Sequence, residues 1–210
     1  MEERKLIALT FDDGPNNTVS RDVLEILREN DVTATFFLIG SKLTAETEET
    51  VRMEVAQGCE ICCHSTAHAM MDRMIREEIE NDYNACMDKI TRVTGYRPAF
   101  FRPPFIAVND LLMDAVELPF ICGIHGEDWM PEVTAEQRKE KILAQIADGS
   151  IILMHDMTGN INTVEALKTL IPELKAMGYG FVTLSELFRM KGVTPVRGRV
   201  YSNVFQQTVR

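Results

Sequence analysis

The chain has 210 residues, 45% of them hydrophobic and 26% charged, the balance of a single soluble globular domain with a large core. Its formal net charge of −10 at pH 7 argues against nucleic acid, which needs a basic footprint, and against anionic membranes; a neutral substrate suits it better. No stretch is long and apolar enough to span a bilayer, and Met1-Glu2-Glu3-Arg4-Lys5 lacks the apolar run of a signal peptide. A cytoplasmic location is therefore expected, or a domain excised from a longer exported protein.

Leu6–Phe11 reads as a first strand, ending in Asp12-Asp13-Gly14-Pro15. Val19, Val23, Ile26 and Leu27 repeat at helical spacing behind Thr18 or Ser20 as cap. Residues 33–39 form a largely apolar run that predicts a buried strand, and Thr44 is placed to cap a helix stopped by Gly58. Cys59–Cys63 predicts a short third strand leading into His64-Ser65-Thr66-Ala67-His68. A long helix follows, with Ile75, Ile79, Met87, Ile90 and Val93 inward, to Gly95. Ala99-Phe100-Phe101 reads as strand four, running into Arg102-Pro103-Pro104-Phe105, and Asn109 caps a short helix. Phe120–Ile124 predicts strand five, before Glu127-Asp128-Trp129. A capping box at Thr134–Gln137 opens a helix to Ala147. Ser150–Met154 predicts strand six, ending at His155-Asp156. A helix over 163–177 carries Pro172 as a kink or break, Phe181-Val182-Thr183 makes strand seven, and Ser185 caps a last helix to Met190. Residues 191–210 read as an irregular tail.

Strand and helix alternate about seven times with short connections, which predicts an α/β domain with parallel strands, either an open doubly wound sheet or a barrel. In both, ligands gather at the C-terminal ends of the strands. Asp12, Asp13, His64, His68, Arg102, Asp128 and His155 all fall at such ends. The five cysteines are odd in number and sit in apolar contexts, as buried free thiols do. Cys59 and Cys62 have metal-motif spacing, but three residues apart on a strand they face opposite ways, and no second pair exists.

His64 and His68 are four apart, so on a helical turn both imidazoles point one way. With a carboxylate from strand one they make a two-histidine, one-carboxylate ligand set for zinc or another divalent transition metal. Hydrolysis also needs a base and an acid. Two carboxylates at one strand end can divide metal binding and base between them, His155 can be the acid, and Arg102 can hold the basic carboxylate.

These residues resemble the motifs of the polysaccharide deacetylase (NodB-homology) family, carbohydrate esterase family 4. Thr10–Pro15 stands as T-F-D-D-G-P, His64–His68 as H-[S/T]-x-x-H, Arg102–Phe105 as R-x-P-[Y/F], Asp128-Trp129 as the fourth motif, and Leu153-Met154-His155 as L-x-H. The resemblance implies a distorted (β/α)7 barrel in one catalytic domain and removal of N-acetyl or O-acetyl groups from a glycan such as peptidoglycan, chitin oligomers or acetylxylan. It implies one divalent metal, zinc first with cobalt, manganese or nickel as alternatives, held by Asp13, His64 and His68. It makes Asp12 the base tethered by Arg102, His155 the acid, and the Phe105 backbone N–H an oxyanion donor. Trp129, Leu153 and Asp128 are the implied pocket residues.

Three departures stand out. Ile106 occupies a position where glycine is common, and Phe105 one where tyrosine is common. His125 replaces an aspartate that in the family pairs with the arginine and tunes the acid histidine, which predicts a shifted alkaline limb unless Glu127 or Asp128 substitutes. Asp156 reads as an orienter of His155 or a cap, and Met70, Met71 and Met74 as packing. A metal amidohydrolase acting on a small non-glycan N-acyl compound and a catalytically silent glycan binder are the competing readings.

Overall fold

Alternation along the strands decides which side chains reach the site. The computed structural model describes residues 4–208. Strand β1 (Lys5–Asp12) is buried on both faces from Leu6 onward, and it pairs in parallel with β2 (Thr35–Leu38), with β6 (Ile151–His155) and, at its start, with β7 (Tyr179–Phe181). β3 (Glu60–Cys63) continues the sheet beyond β2. Odd-numbered Ile7, Leu9 and Phe11 of β1, with Phe36, Ile61, Ile152 and Met154, face the helices. Those helices are α1 (Val19–Glu29), α2 (Glu48–Ala56), α3 (Arg76–Thr94), α4 (Asp110–Ala115), α5 (Ala135–Leu143) and α6 (Ile161–Ala176). Even-numbered Leu6 and Ala8, with Phe37, Cys62, Ile121 and Ile151, form a second core on the inner side of the strands. Burial on both faces is why the strands read as near-continuous apolar runs.

The chain forms a distorted (β/α)7 barrel, and the distortion lies in the fourth and fifth strands. The segment expected as strand four is reduced to bridges from Phe101 to Cys63 and to Phe120. The expected fifth strand is broken into β4 (Phe120–Ile121) and β5 (Ile124–His125). Gly123 lies between them, and a Cβ there would sit 2.9 Å from both the Ile151 carbonyl and the Leu153 Cβ, so only glycine lets this segment approach β6.

The tail is the largest departure from expectation. Helix α7 (Leu184–Met190) is followed by β8 (Val200–Asn203) and β9 (Gln206–Thr208), an antiparallel pair. β8 pairs in parallel with β4, and Asn203 bridges to Ser150 beside β6. Leu184, Leu187 and Phe188 of α7 pack with Tyr201 into the inner core, below the site. Apolar content at 200–204 was too short to read as a strand without the β4 edge it fills.

Smaller corrections have local causes. Helix α1 begins after Thr18 without a side-chain cap, because Ser20 turns inward to Asp156. The helix expected from Thr44 starts at Glu48, after a 3₁₀ turn at Gly40–Lys42. Ile75 is the exposed residue before α3 rather than part of its inner face. Thr183, not Ser185, caps α7, while the Ser185 hydroxyl donates to Glu60. The helix through Pro172 is continuous, and α5 ends at Leu143 rather than Ala147. The five cysteines are free, and Cys59, Cys62, Cys63 and Cys86 are buried. No helix among the described residues is long and apolar enough to cross a membrane.

Glu54 of α2 is fully buried, and neither carboxylate oxygen has a hydrogen-bond partner. Burial, with the Asp156 charge adding, pushes its carboxyl well above the ordinary 4.5. The folded protein then keeps a proton that the unfolded chain releases. Its contribution to stability is fully present below about pH 4.5 and is lost as pH rises toward the folded value. Glu54→Gln is expected to unfold at higher temperature at pH 8, with a flatter dependence between pH 5 and 8. Thermal melts that gave the variant the wild-type slope would rule this out.

Candidate active site

Inner-face positions at the tops of the strands converge on one pocket. Asp12, the last residue of β1, pairs in register with His155, the last of β6, and with Phe37 of β2. Asp12, Asp13, His64, His68, Phe105, Ile106, Trp129, Leu153 and His155 all line this pocket, of about 600 Å³. Arg102 stands against it, fully buried.

Asp13 Oδ1 lies 3.2 Å from His68 Nε2 and 3.5 Å from His64 Nε2, and the three potential ligand atoms are within 4.8 Å of one another. Two observations fit a divalent metal here. Asp13 Oδ1 is buried without a hydrogen-bond partner. His64 Nδ1 is 2.7 Å from the Arg102 carbonyl, which can only accept, so the proton sits on Nδ1 and the Nε2 lone pair faces Asp13. Burial alone would push the Asp13 carboxyl up, but with no metal bound a protonated His64, with His155 and His68, holds it well below the usual range. His68 is pushed down by burial and by its neighbour His64.

The histidine pair does not ride on a helical turn. Residues 64–68 form a loop in which Ser65 (φ 65°) and His68 (φ 52°) are left-handed. Asp82 of α3 pins the loop by accepting from the Thr66 and Ala67 N–H groups at 2.7 and 2.9 Å, and the Ser65 hydroxyl accepts from His68 N–H. The two imidazoles still converge, their centroids 5.0 Å apart, but by a strained loop in place of helical period.

Arg102 donates from Nη1 to Asp12 Oδ1 at 2.5 Å, from Nε to the Ile121 carbonyl at 3.2 Å and from Nη2 to the Cys122 carbonyl at 2.7 Å. Its guanidinium lies 4.2 Å from the Phe37 ring centroid. A fully buried cation is tolerable only with its donors matched in this way. Phe105 (φ 60°) and Ile106 (φ 53°) make a tight left-handed turn, and the exposed Phe105 ring meets His68 edge-on at 4.8 Å. A β-branched residue in that region is a genuine outlier. Ile106 therefore holds strained backbone at a turn that glycine would make without cost.

Across the pocket from Asp13, His64 and His68, His155 Nδ1 lies 2.8 Å from Asp128 Oδ1, which leaves Nε2 toward the pocket. Asp128 Oδ2 also accepts the His155 backbone N–H at 2.6 Å. Burial alone would lower the His155 pKa, but the hydrogen bond and charge of Asp128, with Asp12 and Asp13, raise it to about 9. Asp128, expected on the pocket wall, is fully buried behind His155 instead.

His125 does not face Arg102. Its ring meets Trp129 at a tilt of 59°, with centroids 4.7 Å apart, and burial lowers its pKa. The anion behind His155 is supplied by Asp128, so the replacement at His125 does not remove it. Asp156 neither orients His155 nor caps a helix. It accepts from the Ser20 hydroxyl and, through its carbonyl, from Asn16 at 2.6 Å, tying the loop after β1 to the end of β6. Burial, opposed by Ser20, pushes its carboxyl up to about 7.

Sequence reasoning missed Arg138, Asn160 and Thr163, all buried behind His155. Each is a single polar residue in or beside a helix, and no spacing links them.

A parallel barrel with two histidines and a carboxylate facing a second carboxylate and a backed histidine has the make-up of a metal-dependent hydrolase. Residues 1–119 match the family described as polysaccharide deacetylase. The chain belongs to this NodB-homology family, carbohydrate esterase family 4. It is 46% identical over 204 residues, 97% of its length, to a bifunctional xylanase/deacetylase of Pseudobutyrivibrio xylanivorans, and it spans 34% of that protein's length. It superposes with a TM-score of 0.95 on the Xyl-CE4 domain of a multidomain xylanase from the hindgut metagenome of Trinervitermes trinervoides, at 43% identity, covering 97% of this chain and 99% of that one. A family 4 acetyl xylan esterase from Clostridium thermocellum, in complex with a cobalt ion, gives a TM-score of 0.93 at 40% identity, covering 95% and 99%.

Proposed function

We propose that this protein removes acetyl groups from a glycan, with acetylxylan as its substrate class and a divalent metal, zinc first, at Asp13, His64 and His68. The observation that carries this is one pocket in which the ligand set stands between a tethered carboxylate, Asp12, and a backed histidine, His155. Likeness to two xylan-directed proteins at 40% and 43% identity favours acetylxylan over N-acetylated glycans.

A divalent ion held there supplies a Lewis acid for the acetyl carbonyl and favours deprotonation of water near neutral pH. Asp12 takes the proton from the attacking water, held in place by Arg102. The Phe105 N–H, in a left-handed turn that lines the pocket, is the donor for the developing oxyanion. His155 delivers a proton from Nε2 to the departing sugar oxygen or nitrogen. Leu153 and Trp129 give the acetyl methyl an apolar wall.

The test is acetate release from acetylxylan and from N-acetylglucosamine oligomers, measured side by side after chelation and after adding Zn²⁺, Co²⁺, Mn²⁺ or Ni²⁺. Release from acetylxylan that stops on chelation and returns with metal is expected. Metal-restored release from the amide oligomers alone would replace the substrate class. No release from either, by protein that binds metal, would overturn the glycan reading.

A further inference from the structure

Behind His155 lies a buried cation that no carboxylate among the described residues pairs with directly. Arg138 sits in the second turn of α5 and is 1% exposed. Its position depends on close packing: a Cβ on Gly126 would lie 2.5 Å from the Arg138 carbonyl oxygen, so only glycine lets α5 approach this far. The guanidinium donates from Nε to the Val133 carbonyl at 2.9 Å and from Nη2 to the Met130 carbonyl at 3.2 Å. Nη1 donates to Asn160 Oδ1 at 2.6 Å and to Thr163 Oγ1 at 2.9 Å.

The chemistry of these partners gives the network a direction. Arginine can only donate. The Thr163 hydroxyl, accepting from Arg138, must therefore turn its own proton away, and it donates to Asp128 Oδ2 at 2.8 Å. Asn160, accepting through Oδ1, must present its amide N–H₂ on the other side, and it donates to the His155 carbonyl at 2.9 Å. Asp128 in turn accepts from His155 Nδ1 and His155 N–H. Asp128 and the His155 carbonyl accept by their own chemistry, and Arg138 fixes the two groups that could turn either way, the Thr163 hydroxyl and the Asn160 amide.

We propose that Arg138 is the positioning residue of the general acid, acting through Thr163 on Asp128 and through Asn160 on the His155 backbone. It touches no substrate. It fixes the ring plane of His155, so that Nε2 meets the leaving group at a productive angle. This rests on the proposed deacetylase reading.

Positioning of an acid matters only where the leaving group needs a proton. Arg138→Lys keeps the charge and loses the planar fork, and Thr163→Val removes one hydroxyl at nearly constant shape. Both are expected to lower kcat on acetylated glycan about tenfold with KM little changed, a fraction of the ~10²–10⁴ that general acid–base transfer supplies. On an aryl acetate, whose phenolate leaves without help, both should stay within about twofold. Thr163→Ser restores the hydroxyl and should recover glycan turnover. Equal losses on both substrates, or no loss on glycan, would overturn the proposal, and Thr163→Val keeps the test open if Arg138→Lys does not fold. His155→Ala run in parallel separates the two ideas. A glycan-selective loss in His155→Ala without one in Arg138→Lys or Thr163→Val sinks only the positioning role. Absence of selectivity in His155→Ala itself sinks the reading on which it rests.

Discussion

Asp12→Asn is expected to bind metal as the wild type does and to lose about 10²–10⁴-fold in kcat, the range that general acid–base catalysis supplies. The substitution keeps the side-chain shape and an oxygen that can accept from Arg102 Nη1, so the buried guanidinium is not orphaned. The proposed ligand atoms belong to Asp13, His64 and His68, while Asp12 Oδ2 stays 3.8 Å from His64 Nε2. What disappears is the capacity to take a proton. Metal content and steady-state turnover on one preparation check both halves. Turnover near wild type would remove Asp12 from the chemistry, and loss of metal would make it a ligand.

His155→Ala should also keep its metal, and its cost should depend on the leaving group. We expect a loss of about 10²–10³-fold on an amide and clearly less on an ester, because an amine departs only once protonated. Equal losses would count against His155 as the acid. Its pairing with Asp128 adds a pH dependence. A histidine acting as acid works only while protonated, so turnover falls as pH rises through its pKa, raised here to about 9. A bound cation draws that value down, and the limb in the loaded protein lies below it. Asp128→Asn removes the charge that raises it most and leaves burial, which lowers it, opposed only by Asp12 and Asp13, so the alkaline limb moves toward lower pH. A pH–rate profile of Asp128→Asn that coincided with the wild type would falsify this account.

Much of the site was legible because strand ends carry it. Asp12, His64, Arg102 and His155 each follow an apolar run, and the tops of parallel strands meet whatever the barrel's exact closure. The five motifs then implied an assignment where spacing left roles open, above all Asp13 in place of Asp12 as the proposed ligand. What stayed hidden depends on contacts between distant, unpatterned residues. Arg138 and Thr163 are 25 residues apart and meet only because α5 and α6 pack together. The substitution at His125 suggested a missing anion because a motif is read along the chain, whereas Asp128 reaches His155 through space. Strand four was overestimated for the same reason: Ala99-Phe100-Phe101 has the right composition, but only Phe101 finds partners on both sides. The tail shows the converse, since Val200–Asn203 becomes a strand through partners on both sides, β4 and β9.

Seven non-glycine residues among those described have positive φ, and six of them, Asp13, Ser65, His68, Phe105, Ile106 and Glu127, lie in the loops that build the pocket. The seventh, Asp31, follows α1 and carries none of the chemistry. For anyone engineering heat resistance this divides the molecule in two. Along the rim, a glycine that relaxed the backbone would remove a side chain from the loops that build the pocket, so rigidity and turnover are set against each other there. At Asp31 the same exchange asks nothing of the pocket, and stabilising work should begin on that side of the protein.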